Sequence, residues 1–150
     1  MDTRRARIIA ASIVATFVII RLMLHASPDS DFDVAGYNIH HLFTGLLMLT
    51  AGGLPLILFS ERSRLLDIAA VIFGAGLSLA LDEWVYLIAT DGTNASYLLP
   101  VSLWGGVIMI GLAVAYIAAM YLLNRVQASG REVSGKTPLK ERDRPQGSGH

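Results

Sequence analysis

Four long apolar runs separated by short polar segments organise this chain: residues 8–24, 40–59, 65–90 and 98–124. Each is close to the ~20 helical residues that cross a hydrocarbon core of ~30 Å. Inside lipid an unpaired backbone group has no water to turn to, so such runs are predicted to be helices. The connections at 26–37 and 91–97 carry the turn formers Pro28, Gly36, Gly92 and Asn94, and a tighter turn falls at 60–64. Links this short place successive helices side by side and antiparallel. The pattern predicts an all-α, polytopic membrane four-helix bundle with up-down-up-down topology. Gly52, Gly53 and Pro55 fall inside the second run, where a proline removes a backbone donor and a packing kink is expected.

The apolar pattern stops at Asn124. Residues 1–124 read as the transmembrane domain, and 125–150 as a flexible, basic cytoplasmic tail that lacks the apolar content to fold alone. The first run has a basic start like a signal peptide. Leu24 occupies the position where a cleavage site wants a small residue, and Arg21 interrupts the run, so it reads as a retained span.

Composition agrees with this reading. A hydrophobic content of 53% and a mean hydropathy of +0.53 exceed what an ordinary soluble domain carries. The absence of cysteine excludes disulfides, thiolate metal sites and cysteine nucleophiles. No phosphate loop, dinucleotide fingerprint or nucleic-acid surface is present, so the lipid bilayer is the first expected partner.

A formal net charge of zero conceals a strong asymmetry. Arg4, Arg5 and Arg7 precede the first run, Arg62 and Arg64 lie between the second and third, and six basic residues follow the fourth. The other two connections contain Asp29, Asp31, Asp33 and Asp91 with no Lys or Arg. Positive charge gathers on the cytoplasmic side, which predicts that both termini and the 60–64 turn are cytoplasmic.

Against this background the adjacent acids Asp82 and Glu83 stand out, because they lie inside the third span. A carboxylate there costs about 2.5–3.5 kcal/mol on insertion scales, so it is expected to face protein and find a partner. Ala70, Gly74, Ser78, Asp82 and Tyr86 repeat every four residues and form one stripe. Small residues in such a stripe let helices approach closely. Glu83 falls about 100° round the helix, on a line with Gly76 and Ala80. His40 and His41 open the second span at a similar outer depth, and Arg21 sits in the outer half of the first.

Imidazole and carboxylate together suit a divalent metal such as zinc or iron. They also suit proton exchange, since burial and neighbouring charge move their pKa values toward neutrality. His40, His41, Asp82 and Glu83 are therefore candidate metal ligands, with Arg21 and Tyr86 in support. In the competing reading Arg21 simply neutralises an acid and the histidines are packing residues or headgroup neighbours. Trp84, Tyr86, Tyr97 and Trp104 read as an outer aromatic belt, and Asp67 as an ion-pair partner for Arg64.

The sequence Ile39-His40-His41 followed by Gly45, and Gly74-Ala75-Gly76-Leu77 running into Leu81-Asp82-Glu83, resembles a group of uncharacterised small prokaryotic four-span integral membrane proteins. These carry a histidine pair opening the second span and an LDE triplet in the third. The likeness covers residues 7–124. It implies a prokaryotic plasma membrane and groups His40, His41, Asp82 and Glu83 as a unit, without implying an activity.

Three functional classes follow. The leading expectation is an outward-facing His/Asp/Glu site that binds a divalent metal or exchanges protons; were it an enzyme, a metal-activated water would perform a hydrolase-like reaction. The second is a structural or regulatory membrane subunit whose buried Arg/Asp/Glu/His network stabilises the bundle. The third is a subunit of an oligomeric ion transporter or channel, because four helices alone make a meagre path. Homo-oligomers or another membrane protein are the partners these classes call for.

Overall fold

The computed structural model describes residues 2–26, 33–34, 37–38, 41–60, 63–91 and 94–135. The chain runs α1 (Thr3–Ala26), β1 (Asp33–Val34), β2 (Tyr37–Asn38), α2 (His41–Leu58), α3 (Arg64–Ala89), α4 (Asn94–Tyr97) and α5 (Pro100–Gly135). Four helices, α1, α2, α3 and α5, are long and apolar enough to cross a membrane. The two-residue segments β1 and β2 pair antiparallel, Val34 opposite Tyr37, within the connection that leads to α2. The helices therefore follow the apolar runs with small shifts at their ends.

One boundary differs substantially. α5 continues through Gly135, into the stretch that composition assigned to the tail. Good helix formers such as Gln127, Ala128 and Arg131 extend an already nucleated helix at little cost even after the apolar stripe has ended. Residues 136–150, including the rest of the expected tail, lie outside the described residues.

α3 is the centre of the bundle, packing against α1, α2 and α5. The stripe Ala70, Gly74, Ser78, Asp82 and Tyr86 is buried along its whole length, as are Gly76, Ala80 and Glu83 on the neighbouring line. The helix starts at Ser63, whose hydroxyl accepts from the Leu66 N–H at 3.3 Å, satisfying one of the first-turn donors. It ends at Thr90, whose N–H and hydroxyl both donate to the Tyr86 carbonyl.

Glycines set the interhelical distances. A Cβ on Gly45 would lie 2.7 Å from the Gly76 carbonyl oxygen and 2.8 Å from the Ala80 nitrogen. Further along, a Cβ on Gly52 would lie 2.6 Å from the Ala69 carbonyl oxygen. The α2 and α3 backbones are thus in direct contact, as small residues permit in membrane helices. On the opposite side Gly74 admits α1, where a Cβ would come within 2.8 Å of both the Ile9 carbonyl oxygen and the Ser12 Cβ. The Ser12 hydroxyl secures the same contact by donating to the Val71 carbonyl at 2.8 Å.

At the end of the bundle holding the N-terminus of α1, Arg4 pairs with Asp67 at 2.8 Å. This corrects the expected Arg64–Asp67 pair. Asp67 faces α1 across the interhelical groove, whereas Arg64 is an exposed residue at the start of its own helix.

Candidate functional site

The far end of the bundle gathers the residues of interest. Asp82 and Glu83 are each only 2% exposed. Because they are consecutive on one helix they face different neighbours: Asp82 looks toward α1 and α5, Glu83 toward α2.

Arg21, four helical positions before His25 near the end of α1, carries the first half of the cluster. Its Nε and Nη2 donate to Asp82 Oδ1 at 3.0 and 2.5 Å. Nη1 donates to the Tyr97 carbonyl at 3.2 Å, and Nη2 also reaches the Ser102 carbonyl at 3.0 Å. The guanidinium lies 4.6 Å from the centre of the Tyr97 ring and 5.7 Å from that of Phe17, within the range where an aromatic face attracts a cation. One side chain thereby ties α1 to α3, α4 and the first turn of α5.

Asp82 is engaged through both oxygens. Arg21 holds Oδ1, and the Tyr97 hydroxyl donates to Oδ2. The pair is fully compensated at short range, which is the condition for keeping charges in a low-dielectric interior. Gly106 on α5 makes the space for it: a Cβ there would collide with Asp82 Oδ1 and lie 2.9 Å from the Phe17 ring.

Two of the four residues expected in an aromatic belt, Tyr86 and Tyr97, are buried instead. Trp84 and Trp104 are 53% and 63% exposed, as an aromatic belt requires, but Tyr97 is 6% exposed and Tyr86 is 2% exposed. Their rings lie 4.7 Å apart, tilted by 60°. Burial pushes the Tyr97 phenol well above its ordinary value, and the Asp82 carboxylate it faces pushes it further. It is a proton donor held in place. Ser102, completely buried, presents its carbonyl and hydroxyl oxygens to Arg21. Nothing in the periodicity singles out either residue, since Tyr97 belongs to a connection and Ser102 is one serine among apolar neighbours.

Glu83 serves a different helix. Its carboxylate accepts a hydrogen bond from the Leu42 N–H in the first turn of α2. That turn contains no acidic residue of its own, and the unsatisfied N–H groups of a helix start carry partial positive charge. Glu83 supplies the missing anion from α3.

His41, the first residue of α2, is half-buried, with its ring 6.4 Å from that of Tyr97. His40 lies outside the described residues. Among the described residues, no group of three or more His, Cys, Asp or Glu side chains is disposed to hold a metal ion. The expectation of a zinc or iron site built on Asp82, Glu83 and His41 therefore gains no support. Arg21 and Tyr97 engage the Asp82 carboxylate, and the start of α2 engages Glu83.

No protein-family model, no curated protein and no solved structure matches this chain. The likeness described for the IHH and LDE motifs stands on those residues alone.

Proposed function

We propose that this chain is a multi-pass protein of a prokaryotic plasma membrane, an up-down-up-down bundle with both termini cytoplasmic, acting as a structural or regulatory membrane subunit. The contact registers support the topology. Ser12 meets Val71 and Arg21 meets Asp82, so the residue numbers of α1 and α3 rise together. Gly45 meets Ala80 and Gly52 meets Ala69, so those of α2 and α3 run in opposite senses. The gathering of Arg4, Arg5 and Arg64 at one end, away from Asp82, supports the orientation.

The observation that carries the reading is the guanidinium of Arg21, which occupies one Asp82 oxygen while Tyr97 occupies the other. A carboxylate so engaged is a clamp between helices, and neither a free base nor a vacant ligand. The length of α5 supports a subunit role. Its 36 residues extend ~54 Å at ~1.5 Å per residue, well beyond a ~30 Å hydrocarbon core. Starting from Ser102 beside the clamp, the excess emerges at the opposite end, where it offers a helical arm to a partner.

The test is a paired replacement. Arg21→Met alone should cost roughly 3–5 kcal/mol, because it leaves Asp82 buried and unpaired. Arg21→Met with Asp82→Leu should recover most of that loss, and elemental analysis of both proteins should show no stoichiometric metal. A metal present at unit ratio in the wild type, and lost in His41→Ala/Glu83→Ala, would overturn this reading in favour of a metal centre.

A further inference from the structure

The opposite end of the bundle contains a second polar feature, independent of the Arg21–Asp82 clamp. A cavity of ≈ 570 Å³ opens between the starts of α1 and α3, lined by Asp2, Arg4, Arg5, Ser63, Arg64 and Asp67. Two of its three cations are matched by acids: Arg4 pairs with Asp67 at 2.8 Å, and Arg5 lies 3.6 Å from Asp2. Arg64 has no counter-ion among the described residues. Among the described residues the lining thus carries one positive charge in excess. Two long helices also begin here, each adding about half a positive charge at its N-terminus. Asp2 and Ser63 cap those ends in part, through Asp2 Oδ1 with the Arg4 N–H and Ser63 Oγ with the Leu66 N–H.

A second observation indicates what kind of anion fits. An apolar groove of ≈ 350 Å³ shares Asp2 and Arg5 with the cavity and continues along the bundle between Ile9, Leu56, Tyr116, Ile117 and Met120. A free phosphate would use the polar cavity and ignore this groove. A phospholipid would use both, because its charged head and its acyl chain are joined at the depth where Arg5 sits. Arginine is also the side chain best suited to a phosphate, through its planar set of donors.

We propose that this end of the bundle binds one anionic phospholipid, its phosphate in the cavity beside Arg64 and Arg5 and one acyl chain in the groove lined by Ile9 and Tyr116. Basic pockets between membrane helices on the cytoplasmic side recognise lipid head groups in this way. The pairs Arg4–Asp67 and Arg5–Asp2 are neutral overall, and Arg64 supplies the net attraction. A zwitterionic head group brings its own cation and gains less from that excess charge.

The experiment uses the full chain in mild detergent, titrated with phosphatidylglycerol, phosphatidylcholine or inorganic phosphate, and read by native mass spectrometry and thermal unfolding. One phosphatidylglycerol per protomer should be retained and should raise the unfolding temperature. Phosphatidylcholine and inorganic phosphate should do so far less. Arg64→Gln should weaken phosphatidylglycerol binding about fivefold, the ratio that ~1 kcal/mol per basic residue represents. Because Arg64 is exposed and forms no ion pair among the described residues, this variant should keep the wild-type circular dichroism spectrum. Arg125→Gln, which removes a cation outside the cavity, should bind like wild type. Equal retention of the two lipids would overturn the proposal, as would equal losses in Arg64→Gln and Arg125→Gln. Full stabilisation by inorganic phosphate would assign the cavity to a free anion instead.

Discussion

Glu83 caps a helix to which it does not belong. Its carboxylate accepts from the Leu42 N–H at the start of α2, while its own place in the chain is the C-terminal half of α3. Hydrogen bonds to a charged group contribute about 1.5–3 kcal/mol each, and a buried one is costly to leave unmade. Glu83→Ala should therefore destabilise the bundle by about that amount, with Glu83→Gln falling between it and the wild type. Hydrogen exchange should rise first at Leu42 and Phe43. A loss spread evenly over α3, with α2 unaffected, would argue against the cap.

Arg21 acts through the shape of its guanidinium as well as through charge. Three nitrogens reach Asp82, the Tyr97 carbonyl and the Ser102 carbonyl at once, a fan that an ammonium cannot reproduce. Arg21→Lys should keep the ion pair yet lose roughly 1–3 kcal/mol from the orphaned carbonyls. Chemical denaturation of the two proteins side by side measures the difference. Equal stability would mean that charge alone matters.

Glycine substitutions separate backbone contact from open surface. A Cβ on Gly45 or Gly76 meets backbone atoms at 2.7 Å, and backbone cannot rotate aside; Gly111 has nothing within 4 Å. Gly45→Ala and Gly76→Ala should each cost about 1–3 kcal/mol, the usual penalty for overpacking. Gly111→Ala should be neutral or slightly stabilising through helix propensity. A thermal unfolding series on the three variants is sufficient.

Tyr97 yields a prediction about pH. Its phenol is raised from an ordinary value of 10.0 by burial and by Asp82. A group that holds its proton more tightly when folded contributes stability below its unfolded pKa, and loses it as pH climbs through the folded one. Ultraviolet titration of the folded protein should thus show the same tyrosinate rise near pH 10 in wild type and in Tyr97→Phe, although the variant has one fewer of the five tyrosines. The stability gap between the two should persist undiminished to pH 10 and narrow only above it. A smaller rise in the variant near pH 10 would mean that Tyr97 ionises normally.

Residues placed by periodicity are legible in the sequence. The repeat from Ala70 to Tyr86 fixes one face of α3, and an acid in such a stripe has nowhere to go in lipid, so its burial follows from the spacing. Arg21 was visible as a partner for the same reason. Tyr97 and Ser102 were not, because a residue in or beside a connection has no period to declare its direction. Proximity in sequence points Asp67 toward Arg64, whereas Arg4 reaches Asp67 only because two helices dock. The end of α5 was hidden because composition reports the loss of a buried face, and a helix can outlast that face.

The separation of Arg21 from Asp82 in the chain has a consequence for biosynthesis. The two are 61 residues apart, which at ribosomal rates of about 5–20 residues per second is roughly 3–12 s of elongation. Through that interval α1 holds a guanidinium without its carboxylate, at a cost of about 2.5–3.5 kcal/mol if it sits centrally in lipid. The charge of Arg21 is therefore matched only after the third helix has been made. A chain arrested before that point is the form in which an insertion chaperone would find the most to hold.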